Sequence, residues 1–332
     1  MIRRRLLTIP AYLLGCLVWI VAIPIWAPLA LVVDLLRQRG WVALRVGALI
    51  TVYLSCEVLG MLASLGLWLS RPVLGIDSAR WLDLHFRLEA WWGSTIFAAL
   101  VLLFGLRFEM EGEEDSDLGC GPYILLLRHV SAADTLLASA LVSRPHGLRL
   151  RYVLKKELLW DPCLDIVGNR LPNAFVDRLS GESDREVDRV RTLAEGLGSR
   201  DGILIYPEGT RFSESKRARL LERLRKEGNA DRIAYAESLT EVLPPKPGGV
   251  LGLLEAAPEA DVLVCAHVGF EGIGSVEAVW AGALLHRRIR IQLRRISREL
   301  IPAAPEGRMA WLMEEWQRVD DWLQGARSSE ER

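Results

Sequence analysis

The stretch Tyr123-Ile-Leu-Leu-Leu-Arg-His-Val-Ser-Ala-Ala-Asp134 changes character twice in one short run. Its unbroken apolar part, Tyr123–Leu127, reads as a strand covered on both faces, as in the middle of an α/β sheet. After Arg128 and His129 a polar turn leads into a second apolar run, and the spacing predicts a helix over 131–142. His129 is thereby expected at a carboxyl edge of the sheet, with Asp134 in the first helical turn. From there a carboxylate can reach one imidazole nitrogen and fix its tautomer, leaving the other nitrogen to take a proton from a hydroxyl. The same spacing also suits a plain acidic residue at a helix N-terminus.

Outward from this stretch, short apolar runs alternate with polar, helically periodic ones. Strands are expected at 107–111, 123–127, 151–154, 202–206 and 261–268, with a later one near 288–293. Helices are expected at 131–142, 184–197, 214–226 and 247–256. This alternation predicts an α/β domain, a mixed sheet flanked by helices. The tail from Pro305 to Gly325 places Trp311, Leu312, Trp316, Val319 and Leu323 at helical spacing. It reads as an amphipathic helix suited either to packing on the domain or to membrane contact.

The first third of the chain is different. No charged residue occurs from Leu6 to Val33, more than the roughly 20 apolar residues that cross a hydrocarbon core. A second apolar stretch, Val46–Ser70, carries one charge, Glu57, which within an apolar helix suits either a functional group or a helix–helix hydrogen bond. Ala90–Leu106 is shorter and suits either a third span or an interfacial helix. These features predict an N-terminal membrane-embedded helical hairpin. Residues 1–76 then form the membrane helices, 77–300 the α/β domain, and 301–332 a C-terminal amphipathic helix and tail. Arg3, Arg4 and Arg5 favour a cytoplasmic N-terminus, and a hairpin returns the domain to that side, although Arg37, Arg39 and Arg45 in the connection resist translocation. A net charge of −1 points away from nucleic acid. The five cysteines show no CxxC pair, so neither a zinc site nor a disulfide framework is indicated.

A second group of residues, Tyr206-Pro-Glu-Gly-Thr-Arg-Phe-Ser213, also follows a strand-like run. Gly209 permits a tight turn, Thr210 offers a hydroxyl, and Arg211 presents a fork that matches phosphate oxygens. Alone it reads equally as a polar surface turn.

Together, His129-x4-Asp134 and Glu208-Gly-Thr-Arg211, in this order, resemble the glycerolipid acyltransferase family that includes the 1-acylglycerol-3-phosphate acyltransferases. Two supporting blocks are similar to the family's as well. One runs from Lys156-Glu-Leu158 through Pro162 and Gly168 to Phe175-Val-Asp-Arg178, and the other is Val242-Leu-Pro-Pro-Lys-Pro-Gly-Gly249. The resemblance implies that His129 is the general base and Asp134 its orienting partner. It implies that Glu208, Gly209, Thr210 and Arg211 hold the acceptor's phosphate, with Arg178 a second contact. Lys156 and Lys246 belong to the substrate-binding blocks.

The resemblance further implies transfer of an acyl group from acyl-CoA or an acyl-carrier-protein thioester to 1-acylglycerol-3-phosphate, a lysophosphatidate-type acceptor. No resident cofactor or metal is expected. The catalytic domain is expected on the cytoplasmic face of a bacterial inner membrane or the endoplasmic reticulum. Glycerol 3-phosphate or another lysophospholipid is the alternative acceptor; a thioester hydrolase and a non-catalytic membrane scaffold are the alternatives of other kinds. Arg128 stands where many members have Asn, and Lys246 where many have Arg. His85, His146, His267 and His286 have no carboxylate at a telling spacing and are read as structural or surface residues.

Overall fold

The computed structural model describes residues 2–112, 121–131, 133–176, 183–271 and 276–330. Four helices come first: α1 (Ile2–Val21), α2 (Ile23–Arg37), α3 (Val42–Leu74) and α4 (Ser78–Phe104). Then follow β1 (Arg107–Glu111), β2 (Tyr123–Leu127), α5 (Ala133–Ala138), α6 (Arg144–His146), β3 (Arg149–Lys155), α7 (Pro162–Gly168) and β4 (Ala174–Val176). The remainder is α8 (Ser183–Arg191), β5 (Asp201–Ile205), α9 (Glu214–Glu227), α10 (Ala230–Ser238), α11 (Pro247–Ala256), β6 (Asp261–Val268), α12 (Val276–Trp280), β7 (Arg288–Ile296) and α13 (Pro305–Glu330). These elements form two compact units, each assembled from separated stretches. One comprises Met1–Arg107, Thr135–Ser180 and Gly272–Arg288, the other Phe108–Asp134, Gly181–Glu271 and Ile289–Arg332.

In the first unit, α1, α3 and α4 are each long and apolar enough to cross a membrane. Whereas α4 buries Phe86, Ile96, Phe97, Leu100 and Phe104, many large apolar side chains of α1 and α3 point outward, Leu6 being 70% and Leu59 52% exposed. Such a surface suits a lipid solvent rather than water. The first apolar stretch is not one continuous helix. It breaks at Ala22, where Pro24 brings a ring without an N–H into the first turn of α2. The third stretch is one uninterrupted helix whose N-cap, Asp77, accepts the amide of Arg80 at 2.8 Å.

Polar groups inside these helices are used locally. Asp34 accepts the amides of Ala43 and Leu44, each at 2.9 Å, and so caps α3. Glu57, fully buried, accepts Trp92 Nε1–H at 2.7 Å and the Cys163 amide at 3.1 Å, joining α3 to α4 and to the start of α7. Of its two sequence-level alternatives, the helix–helix hydrogen bond is the one formed. At the N-terminus, Arg4 and Arg5 pair with buried Asp165 of α7 at 2.6 and 3.0 Å. Strands β3 and β4 pair in parallel, Val153 opposite Ala174.

The second unit is built on strands neighbouring one another in the order β1-β7-β6-β2-β5. Strand β2 runs parallel to β5 (Leu126 opposite Ile205) and to β6 (Leu127 opposite Cys265), while β6 and β7 are antiparallel. Every residue of β2 is buried, as its continuous apolar run predicts. Helix α13 packs on this unit rather than presenting its apolar stripe outward. Leu312, Trp316, Val319 and Leu323 are buried, and Trp316 Nε1–H donates to the Leu243 carbonyl at 3.1 Å. Asp320, also buried, accepts the amides of Thr240, Glu241 and Val242 at 3.0, 2.6 and 3.1 Å and so holds the segment leading into the proline-rich block.

Candidate active site

Strand β2 delivers Arg128 and His129 to its carboxyl end, and the turn into α5 brings Asp134 back beneath the imidazole. His129 Nδ1 lies 3.0 Å from Asp134 Oδ2. A carboxylate is only an acceptor, so Nδ1 carries the hydrogen and Nε2 keeps the lone pair that can take a proton. Asp134 is fully buried and heavily supported: Oδ2 also accepts the amides of Val130 (2.6 Å) and Ser131 (2.8 Å), and Oδ1 accepts Ser131 Oγ–H at 2.7 Å. Burial pushes its pKa upward, but the imidazoles of His267 and His129 and the Ser131 amide outweigh burial, and the net shift is below the usual aspartate value. It therefore stays ionised beneath His129.

The second motif follows β5 and meets the first directly. The Phe212 amide donates to the His129 carbonyl at 2.7 Å, and the Tyr206 ring stacks on the imidazole with centroids 4.1 Å apart. Gly209 takes φ +68°, a left-handed conformation that favours glycine. A Cβ there would stand 2.9 Å from Lys246 Cδ, because the Lys246 side chain lies across the turn. The proline-rich block is anchored to the same turn, since the Lys246 amide donates to the Pro207 carbonyl at 2.7 Å. Thr210 Oγ1 and the Arg211 carbonyl both accept from Lys216 Nζ at 2.8 Å. Arg211 is half-buried and forms no ion pair among the described residues.

Glu208 is placed differently from its neighbours. Its carboxyl turns inward, 1% exposed, accepting the Leu243 amide at 2.9 Å and the His129 amide at 3.5 Å. Burial pushes its pKa up to about 8 despite those amides and the charge of Arg128. The carboxyl thereby braces the turn against the Leu243 and His129 amides, while the residue also lines the cavity beside the turn.

Beneath the dyad, fully buried Arg128 donates to the carbonyls of His267 (2.6 Å) and Glu241 (2.8 Å) and pairs with Glu271. Burial alone would raise the Glu271 pKa, but the charge of Arg128 holds it down at about 2. Arg327 closes the network, 2.8 Å from Glu241 and 3.5 Å from Glu271. None of these partners is close to Arg128 in sequence, and position 128 alone carries no signal of them. Read above as structural, His267 is buried with Nε2 3.5 Å from Asp134 Oδ1. It reaches that carboxylate from the neighbouring strand, β6.

Beside the turn lies a cavity of 710 Å³, a size that suits a small-molecule ligand. Thr210, Lys246, Pro245, Lys216, Arg219 and Arg223 are among its walls. Lys156 opens the 3-10 turn Lys156–Trp160 that follows β3 in the first unit. Arg178 lies outside the described residues.

A family model described as Acyltransferase matches residues 107–268. Lysocardiolipin acyltransferase 1 of Danio rerio is 23% identical over 273 residues, covering 81% of this chain and 68% of that protein. The 1-acyl-sn-glycerol-3-phosphate acyltransferase epsilon of Mus musculus is 31% identical over 91 residues, 27% of this chain and 25% of that protein. Among solved structures, the 1-acyl-sn-glycerophosphate (LPA) acyltransferase PlsC from Thermotoga maritima is similar with a TM-score of 0.46 at 13% identity, covering 80% of this chain and 98% of that one. The matched region runs from β1 through the His129–Asp134 pair and the Glu208–Arg211 turn to the end of β6, so both motifs lie within the part of the chain that is similar to the acyltransferase family.

Proposed function

We propose that the protein transfers a fatty acyl group from acyl-CoA, or an acyl-carrier-protein thioester, to the free hydroxyl of 1-acylglycerol-3-phosphate, forming phosphatidate at the cytoplasmic face of its membrane. The observation that carries this reading is the joining of the two motifs: the imidazole hydrogen-bonded to Asp134 is tied through its own carbonyl to the turn bearing Thr210 and Arg211.

The acceptor's phosphate is held by Arg211, with Thr210 and Lys246 beside it, and its hydroxyl is presented to His129 Nε2. His129 takes the hydroxyl proton as the oxygen attacks the thioester carbonyl, and ionised Asp134 stabilises the resulting imidazolium. Collapse of the tetrahedral intermediate breaks the carbon–sulfur bond. The thiolate leaves with the proton from His129, giving an ester and a free thiol. Glu208 acts by bracing the turn. A donor and an acceptor that both carry long acyl chains suit a chain with three helices able to cross a membrane.

The test is product analysis with purified protein, one acyl-CoA, and a panel of lysophosphatidate, glycerol 3-phosphate and lysocardiolipin. Thiol release that requires an acceptor, fastest with lysophosphatidate, is expected. Faster transfer to another acceptor would replace the substrate assignment, and acceptor-independent thiol release would mark a hydrolase.

A further inference from the structure

Asp134 has two carboxylate oxygens, and only Oδ2 faces His129. The other, Oδ1, accepts Ser131 Oγ–H and has a second imidazole beside it. His267 lies two residues beyond Cys265, which is opposite Leu127, so β6 carries His267 alongside the chain as it leaves β2. Its side chain is fully buried, with Nε2 3.2 Å from the Arg128 carbonyl and 3.5 Å from Asp134 Oδ1. Both neighbours are pure acceptors, so Nε2 carries the hydrogen. Nδ1 is then a bare acceptor, buried and without a hydrogen-bond partner among the described residues. An aliphatic side chain would fill this space without leaving a polar atom idle. What the imidazole adds is the N–H directed between the Arg128 carbonyl and the dyad carboxylate.

We propose that His267 is a positioning residue for the acyl-transfer reaction, its Nε2–H bonded to the Arg128 carbonyl and set beside the Asp134 oxygen that His129 does not use. The inference rests on the proposed role of His129 as base. The groups around the pair fix the charge state. From the end of β2, Arg128 places a guanidinium on the His267 carbonyl. Glu271 follows β6 and is neutralised by Arg128, Glu208 follows β5 behind the His129 amide, and Cys265 is buried on β6. Burial, and after it the Arg128 charge, disfavours a proton on His267 Nδ1 and keeps that ring neutral, while Asp134 pulls the other way. The N–H dipole 3.5 Å from Oδ1 stabilises the carboxylate charge and so weakens its hold on a protonated His129. Removing the donor should therefore make His129 more basic.

The full-length protein, solubilised in detergent with 15N-labelled histidine, allows the His129 ring to be titrated by NMR and assigned with His129→Gln. The pH profile of kcat/KM for lysophosphatidate is read in parallel. In His267→Leu, and in His267→Asn should the first variant fail to fold, His129 should titrate about 0.5 pH unit or more above wild type. The acidic limb of kcat/KM should move with it. His267→Gln, whose amide nitrogen reaches the place of Nε2, should return both to the wild-type position. An unshifted His129 titration in folded Leu or Asn variants, or a Gln variant as displaced as Leu, would overturn the inference. Undiminished transfer in His129→Ala would remove the reaction reading alone.

Discussion

Glu208 Oε2 accepts the Leu243 amide at 2.9 Å, and that bond fastens the turn carrying Gly209 and Arg211 to the proline-rich segment carrying Lys246. Glu208→Ala leaves a buried N–H without an acceptor, a loss of about 1–3 kcal/mol. Thermal unfolding in detergent should show a lower midpoint, with Glu208→Gln much closer to wild type.

The same residue gives stability a pH dependence. Burial raises the Glu208 carboxyl from the ordinary 4.5 to about 8, so between those values the folded protein keeps a proton that the unfolded chain has released. This contribution is full below pH 4.5 and declines as pH rises to about 8. Glu208→Gln should abolish that decline and gain most over wild type above that upper value. Parallel melting curves from mildly acidic to mildly alkaline pH check it, and identical slopes would contradict the assignment.

Gly209→Ala forces a side chain into a left-handed turn and against Lys246 Cδ. The backbone strain alone is about 1–2 kcal/mol. Because the displaced group is a proposed phosphate contact, steady-state kinetics should show KM for the acceptor rising more than kcat falls.

Glu57→Ala strands Trp92 Nε1–H and the Cys163 amide in the interior of the helical unit. The expected loss is roughly 2 kcal/mol or more. Glu57→Gln, which keeps an acceptor oxygen, should recover part of it in the same melting experiment.

Arg128→Met leaves Glu271 without its main cation in a largely buried site, where breaking a pair costs about 3–5 kcal/mol. Adding Glu271→Gln should restore much of that. A double-mutant cycle on unfolding midpoints checks the coupling, and additive losses would contradict it.

Much of this is legible in the sequence because the signals are local. The expected limits of β1, β2, β6 and α11 are those found: β2, β6 and α11 are apolar runs bounded by turn residues, and β1 alternates charged and apolar residues. The expected His129–Asp134 contact needs only a strand end and one helical turn. What the sequence hides is set by partners far along the chain. Strand β4 is three residues long and takes its form from pairing with β3, and α10 is a helix of only nine residues. The break at Ala22 is invisible to a measure of apolar length. His267 looks idle because β6, far beyond Asp134 along the chain, reaches β2 only through the sheet. Nothing local to Glu208 reveals that its carboxyl faces the Leu243 amide, which lies 35 residues further along the chain.

The most direct test of acyl transfer by the His129–Asp134 pair compares wild type with His129→Ala in phosphatidate formed from radiolabelled acyl-CoA and lysophosphatidate. Both proteins must first show matching melting midpoints. Loss of the general base should lower kcat by about 100-fold to 10,000-fold with KM for the acceptor little changed. A folded His129→Ala protein that forms phosphatidate at the wild-type rate would contradict the account.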